Sequence, residues 1–262
     1  SDCVMAGYWK NPEANAAAVE LARAAGFASV GLDLIYGLPG QSPEDWEATL
    51  SSAVGLRPDH LSAYALTVED GTPLARRVSR SQVTMPDEDV VADLYELASD
   101  RLSEAGFEQY ELSNWAKPGH ESKHNRTYWT DGDYLGIGAG AHGYLAGERY
   151  ENIAHPRDYI AAVGAASRSP LPAASRRYRP ERPLAMSDWL SLRLRLLEGF
   201  EPSGFAAKFG CDLFDVAGPV LRECEEAGIL ALTPRVRLTT RGCLLHGEVS
   251  ALSLRVGQVE KK

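Results

Sequence analysis

Hydrophobic positions in the first 112 residues switch between a helical period and the short unbroken runs of buried strands. Val30 to Ile35 is such a run, bounded by glycine and proline, and predicts a strand covered on both faces. Asp33 interrupts it. Two-residue alternation puts Asp33 on the face of Gly31 and Ile35, opposite Val30, Leu32 and Leu34. A carboxylate in that setting is costly unless paired or used. It either caps the following loop or contacts a ligand, and the residues alone leave both open. The loop Tyr36-Gly37-Leu38-Pro39-Gly40 has little side-chain bulk, so a ligand could approach its backbone closely. Ser42-Pro43-Glu44-Asp45 then opens a helix, with a serine N-cap, proline in the first turn and acids next to it. An alanine-rich helix begins at Asn11-Pro12-Glu13 and ends at Gly26. Leu61 to Leu66 reads as a second strand. Pro86 opens a long helix closed by Gly106, with Val90, Leu94, Leu97, Ala98 and Leu102 along one face. Gln109 to Leu112 reads as a third strand. This alternation predicts a mostly parallel sheet, entered partway through an α/β domain.

Around residue 150 the pattern changes. Residues 166–184, rich in Ser, Arg and Pro, predict a linker or long loop between a first domain at 1–165 and a second at 185–262. In the second, Met186 to Glu198, Ser203 to Phe209 and Leu213 to Ala227 read as helices, the last interrupted by Pro219. Leu230 to Leu232 and Val236 to Leu238 flank Thr233-Pro234-Arg235 as a hairpin, and a helix runs from Thr240 to about Leu252. Helices followed by such a wing resemble a winged-helix unit. The DNA-binding version needs a basic recognition helix, whereas Glu223, Glu225 and Glu226 precede the basic Arg235, Arg237 and Arg241. A packing or lid domain is the better fit.

Composition narrows the function classes. A chain of 262 residues, 44% hydrophobic and 24% charged, has the make-up of a globular protein, and a net charge of -9 argues against a general nucleic-acid binder. No apolar run is long enough to cross a membrane. Cys3, Cys211, Cys224 and Cys243 have no paired spacing, which reads as free thiols in a reducing compartment, the cytoplasm.

Two chemical motifs overlap. His120-Glu121-Ser122-Lys123-His124 matches the H-E-x-x-H zinc pattern, but Pro118-Gly119 before it and Asn125-Arg126-Thr127 after it supply no apolar periodicity for a metal-bearing helix. The other reading is His124-Asn125-Arg126-Thr127-Tyr128-Trp129, placed in a loop after the third strand. One imidazole with two aromatics close behind suits a flat apolar ligand carrying iron, such as haem, or else the aromatics simply anchor a loop. Residues 132–143 follow, rich in glycine. They lack the G-x-G-x-x-G spacing of a dinucleotide site and suit a close-packed wall beside a cofactor.

Seven blocks in order, Asp33 to Gln41, His60 to Tyr64, Gly71-Thr72-Pro73, Pro86-Asp87-Glu88, Tyr110 to Ala116, His124 to Trp129 and Gly136 to His142, resemble the oxygen-independent coproporphyrinogen III oxidase-like radical SAM proteins, nearest to their haem chaperone branch. The resemblance is strongest over 29–153 and weaker over 185–250. It implies an incomplete (β/α) barrel, of which this chain carries the carboxy-terminal part, followed by a small, mainly helical domain. It further implies that Asp33, Thr67 and His142 contact S-adenosylmethionine, and that His124, Asn125, Tyr128 and Trp129 bind haem with His124 on the iron. Haem-receiving apoproteins are the implied partners, with transient membrane association and no nucleic acid. The alternative activity is that of a coproporphyrinogen III dehydrogenase of porphyrin biosynthesis, which decarboxylates propionates to vinyls. Radical chemistry requires a [4Fe–4S] cluster on a C-x-x-x-C-x-x-C motif, which this sequence does not contain. The chain is therefore expected to be the carboxy-terminal two-thirds of a family protein, without a cluster of its own.

Overall fold

The computed structural model describes residues 12–165, 173–245 and 247. They fall into two compact units that divide between Ser122 and Lys123.

In the first unit the predicted punctuation produces the predicted elements. Helix α1 (Pro12–Ala24) leads into strand β1 (Gly31–Tyr36). Helix α2 (Pro43–Gly55) starts at a reciprocal cap, in which the Ser42 hydroxyl accepts from the Asp45 amide and the Asp45 carboxylate accepts from the Ser42 amide. Strand β2 (His60–Ala65) follows, then α3 (Pro73–Ser79), α4 (Glu88–Glu104) and strands β3 (Glu108–Glu111) and β4 (Asn114–Ala116). Helix α3 has a readable start that the periodicity does not reveal: Thr72 caps the Ala75 amide at 3.1 Å and Pro73 takes the first turn.

The sheet order is β1-β2-β4-β3, with β1 and β2 parallel and β4 antiparallel to both its neighbours. The three predicted strands thus share one direction, but a fourth, reversed strand separates β2 from β3. The sheet is not mostly parallel: it has one parallel pairing and two antiparallel ones. Asn114-Trp115-Ala116 is too short to show a period, and it pairs because a tight turn folds it back on β3. One sheet face carries Leu32, Leu61, Ala63 and Trp115 into a core shared with Trp46 and Leu50 of α2 and Leu94, Ala98 and Leu102 of α4. The opposite face is polar.

The second unit opens with helix α5 (Lys123–Trp129), so the segment predicted as a loop is helical. Strands β5 (His142–Leu145) and β6 (Glu148–Asn152), helix α6 (Pro156–Ala165) and strand β7 (Ala174–Tyr178) follow, with β5-β6-β7 forming an antiparallel sheet. Within the segment read as a linker, 174–178 is therefore a paired strand, and 166–172 lies outside the described residues. Helices α7 (Arg182–Arg193), α8 (Pro202–Phe209) and α9 (Leu213–Glu226) come next, α9 continuing through Pro219. The short strands β8 (Leu230–Ala231) and β9 (Arg237–Leu238) form the predicted hairpin, and α10 (Thr240–Leu244) follows it. The rest of the predicted last helix, beyond 247, lies outside the described residues, as do residues 1–10. Rings of Trp189, Phe200, Phe205 and Phe209 pack edge-on or tilted at centroid spacings of 4.7–6.4 Å and hold the helices together.

Candidate functional site

The polar face of the first unit's sheet centres on Asp33. Parallel register sets Asp33 opposite Ser62 and Ile35 opposite Tyr64, and antiparallel register sets Ser62 opposite Asn114. The Ser62 hydroxyl donates to Asn114 Oδ1 at 2.8 Å, and Asn114 Nδ2 donates to the fully buried carboxylate of Glu111, which also accepts from the Ser113 amide at 2.8 Å. Partial burial, with the Asp33 and Glu111 carboxylates adding to it, pushes the Tyr64 hydroxyl above its usual pKa, against hydrogen bonds from Ser62 and Asn114. Burial likewise holds the His60 imidazole below its usual value, with Asp33 and Glu121 pulling the other way. Its Nε2 lies 2.8 Å from the Tyr110 hydroxyl. Asp33 is half-buried on this floor, and Thr67 is exposed in the loop just past the same end of the parallel pair. That loop region is ordered from within: the Gln41 side-chain oxygen accepts from the Gly37 and Leu38 amides at 2.9 and 3.3 Å.

The second unit contains a cavity of about 460 Å³ lined by His124 and Tyr128 of α5, Tyr134, Leu135 and Ile137 of the following segment, and His142 at the start of β5. Both imidazoles are exposed. The wall is apolar and open to solvent, with Leu135 58% and Ile137 83% accessible. Tyr128 lies one helical turn after His124, and its hydroxyl is 2.6 Å from His124 Nε2. Its ring also stacks edge-on against Tyr134 at 4.4 Å. The glycines make this wall thin. A Cβ on Gly136 would lie 2.2 Å from the His142 carbonyl oxygen, and one on Gly143 would lie 2.1 Å from the Tyr150 ring. Tyr150 and Asn152 pin the segment from β6, Tyr150 Oη accepting from the Gly136 amide at 2.7 Å and Asn152 Nδ2 donating to the Gly136 and Gly138 carbonyls at 3.0 Å.

Tyr128 and Tyr134 also line a neighbouring cavity of about 270 Å³, with Trp129, Tyr144, Arg149 and Leu192. Trp129 belongs to that side, and the Arg195 guanidinium sits 4.2 Å from its ring centroid. Of the four residues grouped by the motif, His124 and Tyr128 therefore share one cavity, Trp129 lines only the next, and Asn125 lines neither. His142, grouped by resemblance with Asp33 and Thr67, lines the cavity of His124. His120 lies in the first unit, with Nδ1 3.1 Å from the Ser29 hydroxyl. The H-E-x-x-H residues do not share a helix, because α5 begins only at Lys123.

Several residues of these sites carry no readable signal. Ser62, Asn114 and Glu111 come together only through strand register. Leu135 and Ile137 read as ordinary apolar residues in a glycine-rich segment, and nothing in the chain indicates that they stay exposed. Tyr134, Tyr144 and Arg149 meet through the pairing of β5 with β6 and the bridge between Tyr134 and Tyr144.

Comparison with known proteins agrees with this architecture. Residues 184–245 match the HemN C-terminal domain. The chain is 43% identical over 240 residues to the haem chaperone HemW of Mycobacterium tuberculosis, covering 91% of this chain and 58% of the relative. It is 36% identical over 235 residues to HemW of Bacillus subtilis, covering 88% of this chain and 60% of that one, and 36% identical over 225 residues to HemW of Escherichia coli, covering 84% and 56%. It thus spans under two thirds of the length of these relatives. The coproporphyrinogen III oxidase HemN of Escherichia coli, a radical SAM enzyme, has the same fold at a TM-score of 0.73 and 20% identity, over 96% of this chain and 62% of that one. Over most of its length the chain is therefore similar to the haem chaperone HemW proteins, and residues 184–245 carry the HemN C-terminal domain.

Proposed function

We propose that this chain is the haem-holding part of a chaperone that binds haem and passes it to apoproteins. The observation that carries the reading is the cavity beside α5, where an exposed imidazole, His124, stands next to an apolar wall left open to solvent. Haem offers a wide apolar face and an iron that accepts a neutral imidazole nitrogen, so wall and ligand act on different parts of it. An accessible site suits a carrier, which must release what it holds. The 34–43% identity to several HemW proteins supports haem delivery over decarboxylation of coproporphyrinogen III. No helix among the described residues is long and apolar enough to cross a membrane; the cytoplasmic placement rests on the scattered spacing of Cys3, Cys211, Cys224 and Cys243.

The test is a titration of haem into the chain, followed through the Soret band. His124→Ala is expected to weaken binding about tenfold or more, about 1.4 kcal/mol for each factor of ten, and to alter the axial-ligand spectrum. His120→Ala, which removes an imidazole tied to Ser29, is expected to leave both unchanged. Equal affinity and an identical spectrum in His124→Ala would overturn the reading.

We further propose that S-adenosylmethionine lies against Asp33 on the polar floor of the first unit and Thr67 in the loop just past it. A half-buried carboxylate beside Ser62 and Tyr64 offers acceptors to a cationic, hydroxyl-rich ligand. The cofactor would supply radical chemistry only together with a cluster whose ligand motif is not in this chain. In a complete protein carrying that cluster, Asp33→Asn should raise the dissociation constant about tenfold while leaving the melting temperature nearly unchanged. The amide keeps the size and removes the charge. Unaltered binding in calorimetry, with a large drop in melting temperature, would make Asp33 structural.

A further inference from the structure

The haem reading treats His124 as the iron ligand, yet the same cavity holds a second imidazole. His142 comes from a different element, the first residue of β5, and is exposed at the cavity rim. No ion pair or hydrogen bond of its side chain competes for its nitrogens among the described contacts. Its main chain is held firmly: the Ala141 carbonyl accepts from the Asn152 amide at 2.9 Å, and His142 is paired with Glu151 across β5 and β6. Gly136 packs against its carbonyl so closely that a Cβ there would lie 2.2 Å away. The backbone therefore fixes where this imidazole starts, while the ring stays accessible. Leu135 and Ile137, two large apolar side chains left in water, lie on the wall that joins the two histidines.

Resting on the haem reading, we propose that His142 is the second axial ligand, so that haem entering this cavity is held between an imidazole from α5 and one from β5. A haem plane between the two elements covers Leu135 and Ile137, the two exposed apolar side chains of this wall, with its apolar face. It also divides the labour of transfer. His124 Nε2 already has an alternative partner in the Tyr128 hydroxyl at 2.6 Å. Loss of the bond from His124 is therefore partly compensated, and His142 then holds the iron while a receiving protein supplies the incoming ligand. No electron moves in this exchange: one nitrogen–iron bond breaks as another forms, and the leaving imidazole nitrogen accepts a hydrogen bond from Tyr128.

The test is haem titrated into the full chain, read by electronic absorption and electron paramagnetic resonance of the ferric form. The unsubstituted chain should give a six-coordinate, low-spin spectrum. His142→Ala should bind haem about tenfold more weakly and become five-coordinate and high-spin, and added free imidazole should restore the low-spin signal. That rescue is what a merely structural role for His142 would not produce. His142→Met should remain six-coordinate with a changed spectrum, which guards against misfolding of the alanine variant. A low-spin spectrum that survives His142→Ala without imidazole, or a five-coordinate spectrum already in the unsubstituted chain, would overturn the assignment. No Soret change in the unsubstituted chain would instead overturn the haem reading on which it rests.

Discussion

Gly136→Ala should cost the second unit about 3 kcal/mol, near the upper end of the usual range for forced overpacking, and should abolish measurable haem binding. The new methyl would meet the His142 carbonyl oxygen at 2.2 Å and the Ala141 carbonyl carbon at 3.1 Å. Both are backbone atoms, so no side chain can swing aside. Relief requires either the 134–138 segment or the start of β5 to move. The first is held by Tyr150 and Asn152, and the second by its pairing with β6. Either movement displaces Leu135, Ile137 or His142, the residues that give the cavity its wall and one of its imidazoles. Thermal unfolding monitored by circular dichroism, together with haem titration, checks both effects. A variant with the parent's melting temperature and haem affinity would show that this close approach does not exist in solution.

Trp46→Ala should destabilise the first unit by about 3–5 kcal/mol, the usual range for emptying a buried aromatic site. Trp46 is completely buried between α2, α4 and the sheet. Its indole N–H donates to the Leu94 carbonyl at 2.9 Å, and its ring lies 5.5 Å from that of Tyr36, the last residue of β1. The substitution thus removes a large apolar volume, a buried hydrogen bond and the support beneath the end of the strand that carries Asp33. Trp46→Phe should recover most of the packing and lose only the hydrogen bond, about 1 kcal/mol. Urea denaturation of the two variants separates these contributions. A loss below about 1 kcal/mol for the alanine variant would mean that the site is not packed as described.

Much of the first unit was legible because its signals are local. Ser42 with Asp45, Pro43 at the helix start and the apolar stripe from Val90 to Leu102 each act within a turn or two of the chain, and each appears where the pattern puts it. The reversal at β4 was not legible, since three residues carry no period and their pairing depends on β2, more than fifty positions earlier. Helix α5 was missed for a related reason. Pro118-Gly119 suggested continuing loop, and although Ser122 is a good N-cap type, Lys123 to Trp129 is short and lacks a clean apolar stripe, so its helicity comes from packing of the unit around it.

The haem motif shows the same division. Residue types alone identified His124 and Tyr128 as candidates, because an imidazole and an aromatic have distinctive chemistry wherever they lie. The sequence could not determine which of the motif's residues face one another. A seven-residue helix puts Tyr128 over His124 at a spacing of four and turns Trp129 toward Arg195 and the adjoining cavity. Nor could it bring His142 to the same cavity, a placement set by the β5–β6 pairing and the glycine-thin wall. By itself, then, the sequence determined the helix caps, the buried strands, the family resemblance and the reactive side chains, all encoded in neighbouring residues. The tertiary structure alone decided the reversed strand, the polar floor around Asp33 and the placing of His124 and His142 at one cavity, because each depends on how segments apart in the chain are brought together.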